Sequence, residues 1–188
     1  MHLYKRTYVT TMDEKQLIEG CINGDRRAQK ALYDKYSRRM MAICLRYVND
    51  MEDARDLMQE GFIKLYANIG KYLGEGSFDG WVRKIFVNCA LERLRQNDIL
   101  KNADDISDID YADVPDESAA AQISSDEIMM YVRSLPDGFR TVFNLFAIEG
   151  YSHKEIGNEL NISESTSRSQ YMRARQMLQK MITKNDFL

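Results

Sequence analysis

The sequence has little of what would build a β-rich or disulfide-stapled scaffold. Its only prolines are Pro115 and Pro136. The rest is dense with apolar residues at helical spacing, so an all-α fold is expected. Three cysteines, Cys21, Cys44 and Cys89, lie far apart and are odd in number, and the only histidines are His2 and His153. Without a Cys-x-x-Cys pair or a His cluster, the composition disfavours a disulfide framework or a structural zinc site, and no metal is expected. No apolar run is long enough to span a bilayer, so no membrane insertion is expected. The first residues, MHLYKRTYVTTM, lack the apolar centre of a signal peptide. They read as an extension over residues 1–12, expected to be disordered, with Met12 an alternative start. A cytoplasmic location fits all of this. A metal cluster, a phosphate-cradling glycine loop and an evident nucleophile–base pair are all missing, which argues against an enzyme and against a cofactor.

The net charge is −3 over 188 residues, but it is unevenly spread. From Gly61 to Asn97 six basic residues face three acids. From Asp98 to Met130 ten acids face only Lys101. From Asn161 onward five bases face two acids. Two basic helical modules joined by an acidic connector is a pattern that suits nucleic-acid contact, although the mean charge does not.

The stretch from Glu149 to Met181 reads as helix, short turn, helix. Ser152 and Glu155 have capping-box spacing, and Ile156 and Leu160 give the first helix a buried side. Asn161-Ile162-Ser163 forms the turn, and Ser163 caps a second helix that opens on Glu164. Ser167, Tyr171, Ala174, Leu178 and Ile182 make its inner stripe. Arg168, Ser169, Gln170, Met172, Arg173 and Arg175 are assigned to the other side. Such a basic, hydrogen-bonding face suits the DNA major groove, although a helical hairpin with a solvated face would share the pattern.

Ahead of it, Thr11 and Glu14 are candidates to cap a short helix carrying Leu17, Ile18 and Cys21. Gly24 closes it and Asp25 starts a longer one with the stripe Ala28, Leu32, Tyr36, Met40, Ile43 and Tyr47. Arg38, Arg39 and Arg46 lie outside or beside that stripe. Asp50 caps a third helix through about Ile69, with Ala54, Leu57, Met58, Phe62, Leu65 and Tyr66 inward. Its other face is nearly all acidic: Glu52, Asp53, Asp56, Gln59 and Glu60. This face would repel DNA, so it is either a solvated surface or a dock for a basic protein partner. Glycines 70, 74 and 76 make a loop containing Tyr72, and Ser77 caps a fourth helix through about Gln96. Phe78, Trp81, Val82, Ile85, Phe86, Cys89 and Leu94 form its apolar side. Arg83, Lys84, Asn88, Arg93 and Arg95 form its polar side. Aromatics beside bases suit unstacked single-stranded DNA, but rings at helical spacing are usually core. Asn88, a poor helix-interior residue, is a good reader of adenine edges if it points outward. Residues 98–124 read as a flexible tether. Ser124 and Glu127 cap the next helix, Pro136 interrupts it, and Phe139 to Phe146 build another, closed by Gly150. Both are expected to brace the helix-turn-helix from behind.

Four segments taken together resemble a known family: GDRRAQKALYDKY, DARDLMQEGFIKLY, SFDGWVRKIFVNCALERLR, and LPDGFRTVFNLFAIEGYSHKEIGNELNISESTSRSQYMRARQML. From about Leu17 to Ile182 the chain resembles a bacterial RNA polymerase sigma factor of the small extracytoplasmic-function (ECF) type. The resemblance implies two helical domains, sigma region 2 over residues 13–97 and sigma region 4 over residues 125–188. It implies that Asp53, Asp56, Leu57, Gln59 and Glu60 dock on the β′ clamp helices of core polymerase, with the β flap as a further contact. It implies that Tyr72, Ser77, Arg83, Lys84 and Asn88 recognise and open the promoter −10 element. Thr166, Arg168, Ser169, Gln170, Met172, Arg173 and Arg175 would read the −35 element. The acidic tether would thread the RNA channel, and an anti-sigma factor is expected as a partner. The chain departs from the family pattern at Ser167 (often Val), Tyr171 (often Leu), Gln170 (frequently Arg) and Gly80 (commonly larger). The competing reading is an autonomous helix-turn-helix regulator that binds duplex operators without polymerase.

Overall fold

Local capping decides where most of the helices begin. The computed structural model describes residues 12–96 and 124–185, and among these every regular element is helical. Helix α1 (Glu14–Ile22) starts at Asp13, whose Oδ1 accepts the Gln16 N–H at 2.8 Å while the Gln16 side chain returns to the Asp13 N–H at 3.1 Å. The cap is thus a carboxylate, which adds a full negative charge at the positive end of the helix dipole, and the expected Thr11 lies outside the described residues. Helix α2 (Arg26–Tyr47) is capped by Asp25, and α3 (Met51–Asn68) by Asp50, which accepts from the N–H groups of Glu52 and Asp53. A single 3₁₀ turn (Ile69–Lys71) leads to the loop before α4 (Phe78–Gln96), where Ser77 Oγ accepts the Gly80 N–H at 3.1 Å. Capping boxes open both α5 (Ser125–Ser134), through Ser124 and Glu127, and α7 (His153–Leu160), through Ser152 and Glu155. Ser163 accepts the Thr166 N–H at 2.9 Å and so starts α8 (Glu164–Asn185). Each such cap contributes about 1 kcal/mol.

The expected stripe of α2 is buried along its whole length, from Ala28 through Leu32, Tyr36, Met40 and Ile43 to Tyr47. It packs against α1, α3 and α4. Full burial of a side chain such as Leu32 stabilises by about 1.5–3 kcal/mol, so this stripe supplies much of the driving force for the first half. Gly61 allows α3 and α4 to close up, because a Cβ there would stand 2.4 Å from the Phe86 ring.

In the second half, Val132, Leu135 and Phe139 pack against Ala174 and Leu178, so α5 and α6 (Asp137–Phe143) do brace α8. Other side chains turn the opposite way. Val142, Leu145, Ile156 and Leu160 join the hydrophobic cluster of α1–α4. After α6 the backbone does not continue as a regular helix to Gly150. It widens into a π turn (Asn144–Ile148) in which Asn144 faces the end of α2. Of the extension expected over residues 1–12 and the acidic tether expected over residues 98–124, all but Met12 and Ser124 lie outside the described residues. No described helix is long and apolar enough to cross a membrane. All three cysteines are free and buried, and burial pushes the Cys44 thiol up to about 12 and the Cys89 thiol up to about 11.

Candidate nucleic-acid interface

Helices α7 and α8 meet at a fixed turn. Asn161 takes the left-handed conformation at φ 55°, and the Ile162 N–H donates to the Gly157 carbonyl at 3.0 Å. The two polar departures in the α8 seam have a common explanation. Ser167 is fully buried with its Oγ 2.9 Å from His153 Nδ1 at the start of α7. The imidazole stacks on Phe146 at 4.2 Å, and Tyr171 leans on both rings at 4.5 and 5.8 Å. Burial first, and the nearby Arg168 charge second, hold the His153 imidazole below its ordinary pKa, so it is neutral and hydrogen-bonded.

On the outer side of α8, Arg168, Met172 and Arg175 are exposed, and Thr166, Ser169 and Arg173 are half-buried. Arg168 is held 2.5 Å from Glu164 one turn earlier. Gln170 corrects the sequence reading: it is 4% exposed and turned inward. It lies three residues after Ser167 and four before Ala174, so it falls within a seam wider than a single i, i+4 row. It cannot reach a groove from there.

The acidic side of α3 is a real surface. Glu52, Asp53, Asp56 and Gln59 are exposed and Glu60 is half-buried. Asp53 pairs with Arg93 at 2.6 Å, and Glu60 with Lys64 at 2.8 Å. Leu57 is a second correction. It is fully buried and supports this face from below, at the inward spacing set by Ala54, Met58 and Leu65. Ile63, which no motif singles out, is 68% exposed and adds an apolar residue four positions after Gln59.

The loop before α4 is organised by aromatic rings. Tyr72 is half-buried, its hydroxyl donates to the Gly76 carbonyl at 2.8 Å, and its ring meets Phe78 and Trp81 at 5.1 and 5.6 Å. Phe78 is core, whereas Trp81 keeps partial exposure. Among the large apolar side chains of the described residues, the most exposed is Leu73, at 81%, beside Tyr72 and Gly74. Sequence patterning overlooked it because a lone leucine in a glycine loop has no period. Ser77 is exposed but serves as the α4 cap. Lys84 is exposed and Asn88 half-buried. Arg83 is tied up: its Nε lies 2.5 Å from Glu149 Oε2.

Two family models match the chain, Sigma-70 region 2 over residues 32–99 and Sigma-70, region 4 over residues 125–178. The RNA polymerase sigma-H factor of Pseudomonas aeruginosa is 30% identical, and the match covers 93% of this chain and 96% of that one. The chain belongs to the sigma-70 family. The ECF RNA polymerase sigma-E factor of Haemophilus influenzae is 28% identical, covering 91% of this sigma factor and 96% of the relative. A solved structure of the sigma factor RpoE with the anti-sigma factor NepR from Bartonella quintana aligns with TM-score 0.49 at 17% identity, covering 82% of this chain and 96% of that one. In this sigma factor the acidic α3 face, the aromatic loop and α4 all fall within the region 2 match, and the helix-turn-helix as far as Leu178 within the region 4 match.

Proposed function

We propose that this chain is the promoter-specificity subunit of a bacterial RNA polymerase, acting in the cytoplasm and carrying no catalytic group of its own. Region 2 docks on the β′ clamp helices through Asp53, Asp56, Gln59 and Glu60, with Ile63 as an apolar contact in the same patch. Region 4 adds the β flap contact and reads the −35 element through Arg168, Ser169, Met172, Arg173 and Arg175. The loop at Tyr72 and the α4 residues Arg83, Lys84 and Asn88 engage the −10 element as it opens. Unstacking a base costs a few kcal/mol, which ring stacking and backbone contacts must offset. By family, an anti-sigma protein holds the factor inactive until it is needed.

The observation that carries this reading is the exposed acidic patch on α3, supported by buried Leu57, in the same chain as a basic helix-turn-helix. An autonomous operator-binding regulator has no use for a surface that repels DNA. The test is a binding titration of the full chain against core polymerase, with Asp56 and Glu60 both changed to Lys. Loss of binding with an unchanged circular dichroism spectrum is expected. Undiminished binding would overturn the docking assignment.

A further inference from the structure

Among the described residues, the buried side-chain polar atoms without a hydrogen-bond partner are Arg46 Nε, Tyr47 Oη, Arg140 Nε, Asn144 Oδ1 and Glu149 Oε1. All of them lie on one seam, where the C-terminal end of α2 meets α6 and the turn after it. The seam is built from polar groups that cross between the two halves. Arg140 donates through Nη2 to the Tyr47 carbonyl at 3.1 Å and through Nη1 to the Asn49 side chain. Asn144 Nδ2 donates to the Arg46 carbonyl at 2.8 Å. Region 4 thus satisfies carbonyls that the last turn of α2 leaves open. Next to them the Glu149 side chain is 5% exposed, with Oε2 2.5 Å from Arg83 Nε and Oε1 3.5 Å from Arg46 Nη2. Arg83 Nη2 also donates to the Ile148 carbonyl at 3.1 Å.

This interface is suited to opening. The desolvation cost of a buried ion pair largely cancels its Coulomb gain, and Tyr47 Oη and Asn144 Oδ1, buried without a hydrogen bond, add a further penalty. The apolar share comes from Val142, Leu145, Ile156 and Leu160, with Phe146, Tyr151, Ile162 and Tyr171 packed against the same cluster, so opening has to overcome this burial as well. A guanidinium presents a fork that fits a carboxylate and a phosphate alike.

We infer that Glu149 is an internal stand-in for DNA phosphate: in the free chain region 4 closes on region 2 and its carboxylate occupies Arg83. Arg83 then becomes available to DNA only when the two halves part. The inference rests on the assignment of Arg83 to −10 contact made above. Its consequence is linkage: the apparent DNA affinity of region 2 is reduced by the fraction of molecules that are closed, and anything that separates the halves restores it.

The experiment uses the full chain with probes at two exposed positions, Lys30→Cys on α2 and Asn158→Cys on α7, the native cysteines being buried. The inter-probe distance is measured alongside binding of a fluorescent 20-nucleotide single-stranded DNA of mixed sequence. Glu149→Gln removes the charge with little change in shape. Asn144→Ala weakens the seam without touching any DNA-facing charge. Both are expected to lengthen the distance and to raise DNA affinity several-fold. An unchanged distance in both variants overturns the closed state. A gain in affinity from Glu149→Gln alone, with no change in distance, overturns the stand-in, because it reports only the loss of a local negative charge. Adding Arg83→Ala to Glu149→Gln should abolish the gain. A gain that survives, with the distance still lengthened, removes Arg83 from DNA contact and refutes the stand-in through the assignment it rests on. Core polymerase binding by the unsubstituted chain, measured on the same preparation, tests the sigma-factor reading separately.

Discussion

Gly157→Ala sets helix propensity against tertiary fit. Gly157 lies within α7, where exchanging glycine for alanine should by itself gain about 0.5–1 kcal/mol. The structure opposes that gain. A Cβ at 157 would stand 2.8 Å from the Ile162 carbonyl oxygen and 3.6 Å from the Ser163 carbonyl carbon. Both are backbone atoms of a turn pinned by the Ile162 N–H on Gly157 and by left-handed Asn161, so no flexible side chain can yield. Overpacking of this kind costs about 1–3 kcal/mol, which cancels the propensity gain and leaves a net loss of up to about 2.5 kcal/mol. For a chain of 188 residues, at about 2–4 °C per kcal/mol, that is a fall of up to roughly 10 °C in Tm, read by a circular dichroism melt. Gly70→Ala is the control, since no heavy atom lies within 4 Å of its Cβ position. A rise in Tm for Gly157→Ala equal to the helix gain would refute the claim that this close approach fixes α8 against α7.

Arg173→Ala should weaken binding to the −35 element by about 1–3 kcal/mol if it contacts a base edge, and equally on all sequences if it contacts phosphate. Gln170→Ala should lower Tm and leave DNA affinity unaltered, and a clear affinity loss would return Gln170 to the groove face. The depressed pKa of His153 means that the unfolded chain binds its proton more readily than the folded one. This contribution is therefore present above the ordinary value near 6.5 and is lost as pH falls from there through the depressed value. The shift in urea midpoint between pH 7.5 and pH 5.5 should accordingly be smaller in His153→Asn than in the unsubstituted chain.

What could be read from the sequence was local. The Ser124 and Ser152 capping boxes and the α2 stripe are written in residues three or four apart, and the structure has each of them. The acidic face of α3 was legible for the same reason, since one helical period separates Asp56 from Gln59 and Glu60. Errors arose where another helix decides. Gln170 reads as outward because the stripe through Tyr171 already gives a plausible inner row, but in the folded chain it is 4% exposed and belongs to a wider row. Leu57 shares the segment DARDLMQE with the partner-facing acids, but its own spacing is that of a core residue. Nothing local marks Arg140, Asn144 or Glu149 as a seam, because their partners at Tyr47, Arg46 and Arg83 are 66–98 residues away in sequence.

The measurement that bears most directly on the central claim is transcription in vitro with core polymerase from the source bacterium on fragmented genomic DNA, with and without this protein. The account predicts new start sites that share two upstream elements at a fixed spacing. No new starts, together with specific binding of the protein alone to duplex fragments, would contradict it.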